Sequence, residues 1–354
     1  MEKILISGAN GFLGSHLIDF AINQGKMVYG IDLPDHPRYN LAHYTEGKIR
    51  FKPKEKLKAF DFLIQIPTSN KNFIFLECDL NNAGLLEKIL LKTKPKYIFH
   101  FGAQPLVIPS WEDPVGTIKT NVIGTINLFE IIKKHNIKSR VILACTSAEY
   151  GSSTALNRPL KETDPLLAIH PYGISKIAAE LLARQYYINF GIEIINLRFF
   201  NQTGPRKKGD ACSDFISKIA KIELGLSEPV IEVGNLKPYR DFTGIKDSLN
   251  AIWKAATEGI PGETYNVCSS KKIQINQILK TALSFSSKDI KVIENVPQKI
   301  RKTDEDIIIG DNSKIKRELK WNISVPIEET LKDMFDYWIN YYKKYGIEEQ
   351  PISK

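Results

Sequence analysis

A tyrosine and a lysine four residues apart could carry proton-transfer chemistry in this chain of 354 residues. Tyr172 and Lys176 follow Pro171, a residue that favours the first turn of a helix, so both side chains would lie on one helical face. An ammonium group beside a phenol favours the phenolate and brings the phenol pKa towards the range useful in acid–base catalysis. The same spacing is also typical of amphipathic surface helices. Its interpretation therefore depends on the elements that would position it.

A glycine-rich turn follows the first apolar stretch of the chain. Ile4 to Ile6 predict a strand, and the residues behind it read Gly8-Ala9-Asn10-Gly11-Phe12-Leu13-Gly14. Glycines at these spacings allow a tight turn, a close approach to a pyrophosphate and close packing of the next helix, whose N-terminus faces the anion. A second predicted strand ends at Asp32, at about the interval expected for the acid that binds the adenosine ribose. These features predict a dinucleotide site; a turn that only packs helix on sheet is the alternative.

The Asp32 carboxylate also indicates which dinucleotide is preferred. Its charge would repel the 2′-phosphate of NADP(H), so NAD(H) is favoured. Another polar position, Thr146, ends the apolar stretch Arg140–Thr146. Because open α/β sheets bind their ligands at the carboxyl ends of the strands, Thr146 is placed to hydrogen-bond a substrate oxygen.

Apolar stretches alternate with helical periods through residues 1–200. This alternation predicts an α/β fold, a Rossmann-type doubly wound parallel sheet, interrupted by an insertion at residues 33–72. From residue 201 to residue 354 the pattern is mixed. We expect those residues to form mainly a smaller mixed α/β lobe that binds substrate, with some segments returning to the first domain.

Composition and charge favour a small-molecule enzyme. The net charge of +9 comes from scattered basic residues without a nucleic-acid-binding motif, so no nucleic-acid partner is expected. The four cysteines lie far apart and the six histidines lack metal-ligand spacing, which predicts no metal, no disulfide framework and a reducing cytoplasm. No stretch is long and apolar enough to predict a membrane span or a signal peptide.

Further motifs carry a resemblance to a known family. The segments His100–Gln104, Asn121–Thr125 and Arg198–Asn201, followed by Gly204-Pro205, accompany the glycine turn, Thr146 and the Tyr172/Lys176 pair in order along the chain. Together they resemble the extended short-chain dehydrogenase/reductase family, the NAD-dependent nucleotide-sugar epimerases, dehydratases and reductases. The resemblance covers nearly the whole chain. It implies a homodimer formed through the segments Thr117–Lys134 and Tyr172–Phe190.

The resemblance also implies roles for individual residues. The catalytic residues would be Thr146, Tyr172 and Lys176. The cofactor would be bound by Gly8, Asn10, Gly11, Phe12, Leu13, Gly14, Asp32, Asp79, Leu80, Gly102, Ala103, Gln104, Asn121, Tyr172 and Lys176. The nucleotide-diphosphate sugar would be bound by Ser147, Ala148, Asn201, Ser213, Asn235, Arg240 and Arg301.

Motifs in the second lobe favour a GDP-sugar. The stretches Gly234-Asn235-Leu236 and Arg240-Asp241-Phe242-Thr243 are most similar to those of GDP-4-keto-6-deoxy-mannose reductases. Arg240 offers a two-pronged fork for a phosphate, although a salt bridge to Asp241 or Asp247 is the simpler alternative. Around Arg301 the chain departs from the family pattern, and Gln104-Pro105-Leu106-Val107 is more like CDP-glucose dehydratases. The base therefore stays open.

The residues after Thr146 bear on the reaction. In the 4,6-dehydratases of this family the threonine is followed by an acid or a serine and then by a glutamate. This chain has Ser147 and Ala148 at these positions, and Glu149 comes one place late. In an extended segment Glu149 would face away from the substrate, and a kink could bring it back. The pattern favours NAD(P)H-dependent reduction of a GDP-4-keto-6-deoxyhexose at C4. An NAD-retaining 4-epimerase is the alternative, followed by a 4,6-dehydratase and by a non-catalytic NAD-binding regulator.

Overall fold

The computed structural model describes residues 1–34, 36–45, 65–66, 68–299 and 307–346. Its strands, in chain order, are β1 (Lys3–Ser7), β2 (Met27–Asp32), β3 (Gln65–Ile66), β4 (Phe73–Glu77), β5 (Tyr97–His100), β6 (Arg140–Thr146), β7 (Ile194–Phe199), β8 (Asn201–Thr203), β9 (Val230–Glu232), β10 (Tyr239–Arg240), β11 (Phe242–Gly244), β12 (Thr264–Val267), β13 (Ile273–Gln274), β14 (Lys291–Ile293) and β15 (Ile307–Ile308).

Its α-helices are α1 (Phe12–Asn23), α2 (Ala83–Thr93), α3 (Val107–Glu112), α4 (Pro114–Ile118), α5 (Gly124–Lys134), α6 (Pro171–Phe190), α7 (Ala211–Glu223), α8 (Ile245–Glu258), α9 (Ile275–Leu283), α10 (Ser313–Leu319) and α11 (Ile327–Tyr345). A π-helical turn, Lys119–Ile123, joins α4 to α5 without a break. Short 3-10 helices cover Tyr39–Tyr44, Ser147–Glu149, Ser152–Leu156 and Pro297–Lys299.

Within the described residues, eight strands form the main sheet in the order β12-β7-β6-β5-β1-β2-β4-β3. β1 pairs in parallel with β2 and β5, β2 with β4, and β5 with β6, whereas β3 pairs with β4 antiparallel. The predicted Rossmann-type doubly wound sheet is confirmed. Strand order reverses between β1 and β5, and at such a point the carboxyl ends of the strands open a crevice for ligands.

Helices on both faces explain the apolar composition of the central strands. Ile4, Leu5 and Ile6 of β1 are fully buried although successive side chains point to opposite faces of the sheet. One face packs against α2, α5 and α6 through a core that includes Leu86 and Phe129. The strand ends that carry polar residues are thereby held by a rigid, two-sided core.

The chain divides into two compact units. Unit 1 comprises Met1–Ser152, Pro165–Arg198 and Ala251–Tyr265, and unit 2 comprises Ser153–Asp164, Phe199–Asn250 and Asn266–Lys354. Compared with the predicted division at residue 200, residues 153–164 fall in unit 2 and residues 251–265 in unit 1. Much of the predicted insertion 33–72 lies outside the described residues.

Unit 2 has its own core, built where α7, α9 and α11 pack together through residues such as Ile216, Leu279 and Trp338. Three small sheets accompany it, ordered β13-β10-β15, β11-β8 and β14-β9. In the part of the chain that the structure describes, every helix is too short or too polar to cross a lipid bilayer.

Candidate active site

The glycine turn brings backbone segments so close together that side chains would not fit. A Cβ atom on Gly14 would lie 2.1 Å from the Gly8 carbonyl oxygen, and one on Gly8 would lie 2.8 Å from the Gly102 nitrogen. Gly8 also has a φ of +70°, which favours glycine. Helix α1 starts behind Gly11 with no acidic residue in its first turn, so its N-terminal amides suit an anion.

Asp32 and Asn10 form the rim of this turn. The Asp32 carboxylate accepts hydrogen bonds from the Asn10 and Leu33 amides, each at 2.8 Å. Burial raises the Asp32 pKa, and these two amides oppose the rise. The Asn10 Oδ1 atom is buried without a hydrogen-bond partner. A glycine cradle, a carboxylate and an unsatisfied acceptor at one sheet edge fit a dinucleotide such as NAD.

A directional hydrogen-bond chain joins the ends of β1 and β5 to the π-helical turn. The Thr125 hydroxyl donates to the Asn121 carbonyl oxygen at 2.7 Å and so accepts from His100 Nε2 at 2.9 Å. His100 Nδ1 then accepts from the Ser7 hydroxyl at 2.8 Å, and that hydroxyl accepts from the Gly102 amide at 3.1 Å. Burial, with a smaller contribution from Lys176, lowers the His100 pKa to about 3. The neutral imidazole therefore fixes Gly102, a predicted cofactor residue.

Asn121 lies in the π-helical turn, a distortion frequent at functional sites. Its side chain accepts from the Gln104 amide at 2.7 Å and donates to the Gln104 carbonyl oxygen and to the Ser175 hydroxyl. The Gln104 side chain bonds to the backbone of Leu106 and to Thr117. Asn121 and Gln104 thus hold the loop after β5 against α6.

The remaining predicted cofactor residues lie nearby on the same unit. Leu80 is buried, and its Cδ1 atom would be 3.0 Å from a Cβ on Gly102. Asp79 is partly buried and accepts hydrogen bonds from Asn81. Ala103 follows Gly102 in the loop after β5 and is partly buried. These residues follow the carboxyl ends of β4 and β5, next to the glycine turn that follows β1.

Thr146, Tyr172 and Lys176 come together at the end of β6. Helix α6 begins at Pro171, as predicted, and His170 Nδ1 caps it by accepting from the Gly173 amide at 2.9 Å. Tyr172, partly buried, forms a hydrogen bond with the Thr146 side chain. One turn later the buried Lys176 ammonium donates to the Ala144 carbonyl oxygen at 2.8 Å. Helix α6 and strand β6 therefore place the predicted trio in one site.

The direction of the Tyr172 pKa differs from the expectation. Burial raises the Tyr172 pKa, and the hydrogen bond from Thr146 opposes the rise. Burial also lowers the Lys176 pKa. The protein's own groups therefore keep Tyr172 as the neutral phenol. Sequence reasoning counted the ammonium charge but not the desolvation of the phenol, which has the larger effect here.

Glu149 is withdrawn into the interior. Residues Ser147–Glu149 do not extend β6 but form a 3-10 turn, closed by a capping box between Thr146 and Glu149. Glu149 is fully buried and accepts from the Thr146 amide at 3.0 Å. Ser147 and Ala148, the predicted substrate contacts in this turn, stay partly exposed. The capping pattern, a threonine followed three residues later by a glutamate, was the sequence signal for this turn.

Sequence reasoning did not foresee the buried charges behind this turn. Arg198 on β7 donates to both carboxylate oxygens of Glu180, from Nε at 2.9 Å and from Nη2 at 2.5 Å. Glu180 follows Lys176 by one helical turn, and this spacing could have indicated that both lie on the same face of α6. Cys145, Glu149 and Glu180 form a possible set of cation ligands among the described residues, but the Arg198 charge lies against them and opposes a cation.

In unit 2 the predicted substrate residues have different surroundings. Asn201 lies in β8, and its side-chain amide donates to the Asp241 carbonyl oxygen at 3.3 Å. Asn235 is exposed and caps the Lys237 amide. Ser213 is buried, and its hydroxyl closes a capping box with Asp210 at the start of α7, so this geometry supports a structural role for Ser213. Arg301 lies outside the described residues.

Arg240 and Asp241 have different surroundings, which indicate different roles. The fully buried Asp241 carboxylate accepts from the Ser269 amide and hydroxyl and from the Ser270 and Gly310 amides. Burial raises the Asp241 pKa to about 6 despite these four donors. Arg240 is partly buried and donates to the Tyr239 carbonyl oxygen at 2.8 Å. The Asp241 carboxylate therefore stabilises loop backbone in unit 2 by accepting hydrogen bonds. The Asp247 carboxylate does the same for Ser324 and Val325.

Comparison with known proteins identifies the family. The profile of the family described as GDP-mannose 4,6 dehydratase matches residues 5–334. The chain belongs to this family. It is 25% identical to a GDP-6-deoxy-D-mannose reductase of Pseudomonas aeruginosa, over 69% of this chain and 80% of the relative. It is 29% identical to a UDP-glucuronate 4-epimerase of Thermodesulfobacterium geofontis, over 94% of each chain.

A solved structure shows the same fold. The UDP-glucuronic acid 4-epimerase of Bacillus cereus, in complex with UDP-glucuronic acid and NAD, superposes with a TM-score of 0.77 at 27% identity, covering 96% of this chain and 100% of the other. The chain is a nicotinamide-dependent, nucleotide-sugar-modifying enzyme of the extended short-chain dehydrogenase/reductase family. Its relatives include reductases, epimerases and dehydratases, so the reaction itself has to be argued from the site.

Proposed function

We propose that this enzyme reduces the C4 keto group of a GDP-4-keto-6-deoxyhexose with NADH. The observation that carries the proposal is the position of the Tyr172 hydroxyl, which is hydrogen-bonded to Thr146 at the carboxyl end of β6. Reduction needs a proton donor at this position, and a neutral phenol is one.

Reduction of a ketone adds a hydride to carbon and a proton to oxygen. When bound in the glycine cradle, the nicotinamide cofactor supplies the hydride. Tyr172 donates the proton to the C4 oxygen, which becomes the hydroxyl of the product. Thr146 donates a hydrogen bond to the Tyr172 oxygen and steadies the phenolate that remains, and the nearby Lys176 ammonium adds positive charge.

The other reactions of the family have less support. A 4-epimerase would use the same three residues, so the preference for reduction rests on the motifs of the second lobe, which are similar to those of GDP-4-keto-6-deoxy-mannose reductases. Elimination of water across C5 and C6 needs an additional acid or base. Ser147 and Ala148 carry no carboxyl group, and Glu149 is fully buried with one oxygen on the Thr146 amide. Without such a group we expect elimination to be slower by about 10²- to 10⁴-fold.

The surroundings of Asp32 support NADH as the reductant. A 2′-phosphate would meet the Asp32 carboxylate and needs a free cationic partner. Arg38 follows β2, but its guanidinium is buried and donates to Glu77 and to the His36 carbonyl oxygen. The nearest arginine in the sequence is thus committed to a buried carboxylate.

Unit 2 supports an anionic substrate such as a nucleoside diphosphate sugar. Burial, together with the neighbouring Lys221, lowers the pKa of Lys208 to about 8. A lysine whose charge is destabilised in this way gains from a nearby anion. With Arg240 it provides cationic groups on the unit that carries the motifs similar to GDP-4-keto-6-deoxy-mannose reductases. The GDP base remains the proposed one on those motifs.

A direct assay tests the proposal. Purified protein is mixed with GDP-4-keto-6-deoxymannose and NADH, and NADH loss is compared with the product formed. We expect one NADH consumed for each product molecule. No NADH loss with this substrate would refute the proposed reduction. Conversion of UDP-glucose or another non-keto sugar nucleotide without added cofactor would identify a 4-epimerase instead.

We further propose that the enzyme is a homodimer located in the cytoplasm. Ile174, Leu181 and Ile188 recur every seven residues on α6, and each is about half exposed. Trp111 and Val115, on the neighbouring α3 and α4, are also exposed. Exposed large apolar side chains on neighbouring helices are typical of an interface. All four cysteines are buried free thiols, which suits a reducing compartment.

A further inference from the structure

A buried group of charged side chains lies behind the 3-10 turn that follows Thr146. Arg198 donates to both oxygens of Glu180 and, through Nη1, to the Tyr150 hydroxyl at 2.9 Å. The Glu149 Oε2 atom lies 3.5 Å from Arg198 Nε, and Glu149 is 0% exposed. The cluster thus contains two carboxyl groups and one guanidinium, all shielded from water.

A hydrogen bond between the two carboxyl groups requires a proton on one of them. Glu180 takes both strong hydrogen bonds from Arg198 and is the partner that stays ionised. If Glu149 is ionised, its buried Oε2 atom receives no hydrogen bond, although it lies beside the Glu180 carboxyl group. Two carboxylates can only accept, so a proton on Glu149 is what completes a hydrogen bond between them. Burial and the Glu180 charge raise the Glu149 pKa well above its ordinary value, in agreement with this assignment.

The same carboxyl group contacts the residue that hydrogen-bonds Tyr172. Glu149 Oε1 accepts from the Thr146 amide at 3.0 Å, and the Thr146 hydroxyl accepts from the Ala148 amide at 3.2 Å. This reciprocal capping fixes the backbone of Thr146 and the direction of its hydroxyl, which bonds to Tyr172. Thr146 therefore connects the buried cluster to Tyr172.

We propose that Glu149, held as a neutral carboxylic acid that donates its proton to Glu180, is a positioning residue for the Thr146–Tyr172 pair. The proposal rests on the proposed function, because Tyr172 is taken there as the proton donor. Neutrality has a consequence for that donor. A negative charge on Glu149 would disfavour the Tyr172 phenolate formed in the reaction, whereas the neutral acid braces Thr146 without this cost.

Three variants distinguish the hydrogen bonds of Glu149 from an effect of its charge. Glu149→Gln keeps an oxygen for the Thr146 amide and a donor for Glu180, so we expect kcat within about threefold of the wild type. Glu149→Met removes both contacts, and kcat should fall by on the order of 10-fold with KM unchanged. Tyr150→Phe is the matched control, because it also removes a contact of Arg198 but leaves the Thr146 amide in place. It should keep the wild-type kcat.

Two further measurements address the protonation state. The carbonyl stretch of a buried carboxylic acid should appear in the infrared spectrum of the wild type and disappear in Glu149→Gln; this needs no substrate. The alkaline limb of the kcat profile should be the same in both proteins, because the substitution removes no charge. If Glu149 were ionised, Glu149→Gln would lower the Tyr172 pKa and move that limb to lower pH.

The outcomes distinguish failure of this inference from failure of the proposed reaction. The kcat measurements use whichever assay, reduction or 4-epimerisation, shows turnover. A full rate in Glu149→Met, an equal loss in Glu149→Gln and Glu149→Met, or a wild-type spectrum without the carboxylic acid band would each overturn the role of Glu149. Absence of NADH oxidation would refute the reduction alone, while the infrared spectrum would still report on Glu149.

Discussion

At the scale of single residues, desolvation decides the chemistry of this site. Tyr172, Lys176 and His100 are each shifted first by burial, and in each case towards the neutral form. A neutral Tyr172 phenol suits proton delivery to a developing alkoxide. The residue types were evident in the sequence. Their protonation states were not, because burial depends on residues that are distant along the chain.

Removing the Tyr172 hydroxyl should abolish most of the activity without affecting cofactor binding. We expect Tyr172→Phe to lower kcat by about 10²- to 10⁴-fold, the usual contribution of a positioned acid. The phenyl ring keeps its stacking on His170, so the start of α6 should be preserved. Stopped-flow or steady-state NADH oxidation measures the rate, and NADH fluorescence titration measures binding. Retention of the wild-type kcat would remove Tyr172 from the mechanism.

At the scale of elements, the long strands and helices could be predicted, whereas the short ones could not. The predicted strand that ends at Asp32 is found as β2, and the apolar stretch Arg140–Thr146 is β6 with the same bounds. The two-residue strands β10, β13 and β15 are too short to show any alternation, and tertiary contacts alone define them. The turn Ser147–Glu149 was missed although its capping pattern is local. Periodicity therefore indicated the scaffold, but the details of the site depended on caps and long-range contacts.

The glycine cradle should not tolerate even one methyl group. In Gly14→Ala the new Cβ would lie 2.1 Å from the Gly8 carbonyl oxygen, which is backbone and cannot move aside. We expect strain of about 3 kcal/mol and a loss of NADH affinity on the order of 10²-fold. Gly84→Ala is the control, because Gly84 is exposed near the start of α2 and its Cβ would meet only Asn82 Oδ1 at 3.9 Å. Equal NADH affinity in the two variants, measured by titration, would contradict this account.

The His100 hydrogen-bond chain predicts how stability depends on pH. The folded pKa of about 3 lies below the ordinary histidine value of about 6.5, so the unfolded chain binds the additional proton between these values. Stability is therefore fully present above about pH 6.5 and is lost as pH falls towards 3. At pH 5 the loss due to His100 is about 2 kcal/mol.

Urea unfolding at pH 7 and pH 5 measures this dependence. His100→Gln cannot be protonated, so its free energy of unfolding should change by about 2 kcal/mol less than that of the wild type between the two pH values. His43→Gln serves as the control because His43 is exposed beside Asp19. It should keep the wild-type dependence. An equal loss in His100→Gln and the wild type would assign the effect to other groups.

At the scale of the whole molecule, the residues of the proposed site are divided between the two units. Unit 1 holds the glycine cradle, Asp32 and the trio of Thr146, Tyr172 and Lys176, while unit 2 holds Arg240 and Lys208. The family could be identified from the motifs of both. The exact reaction could not, because reductases, epimerases and dehydratases share the trio and differ in a few neighbouring groups. The neighbour on which the proposal against dehydration depends is Glu149, which the 3-10 turn withdraws into the interior.

The apolar face of α6 leads to a prediction about assembly. In a twofold symmetric dimer each interface residue occurs twice, so one substitution changes two contacts in the interface. Burying a leucine contributes about 1.5–3 kcal/mol, and Leu181→Glu should therefore weaken dimerisation by about 3–6 kcal/mol, on the order of 10²- to 10⁴-fold in Kd. Ile260→Glu is the matched control, since Ile260 is also an exposed aliphatic residue of unit 1 but lies outside α6. Analytical ultracentrifugation at one protein concentration should find a folded monomer for Leu181→Glu and a dimer for both Ile260→Glu and the wild type. A dimeric Leu181→Glu would mean that copies of this chain associate through a face other than α6.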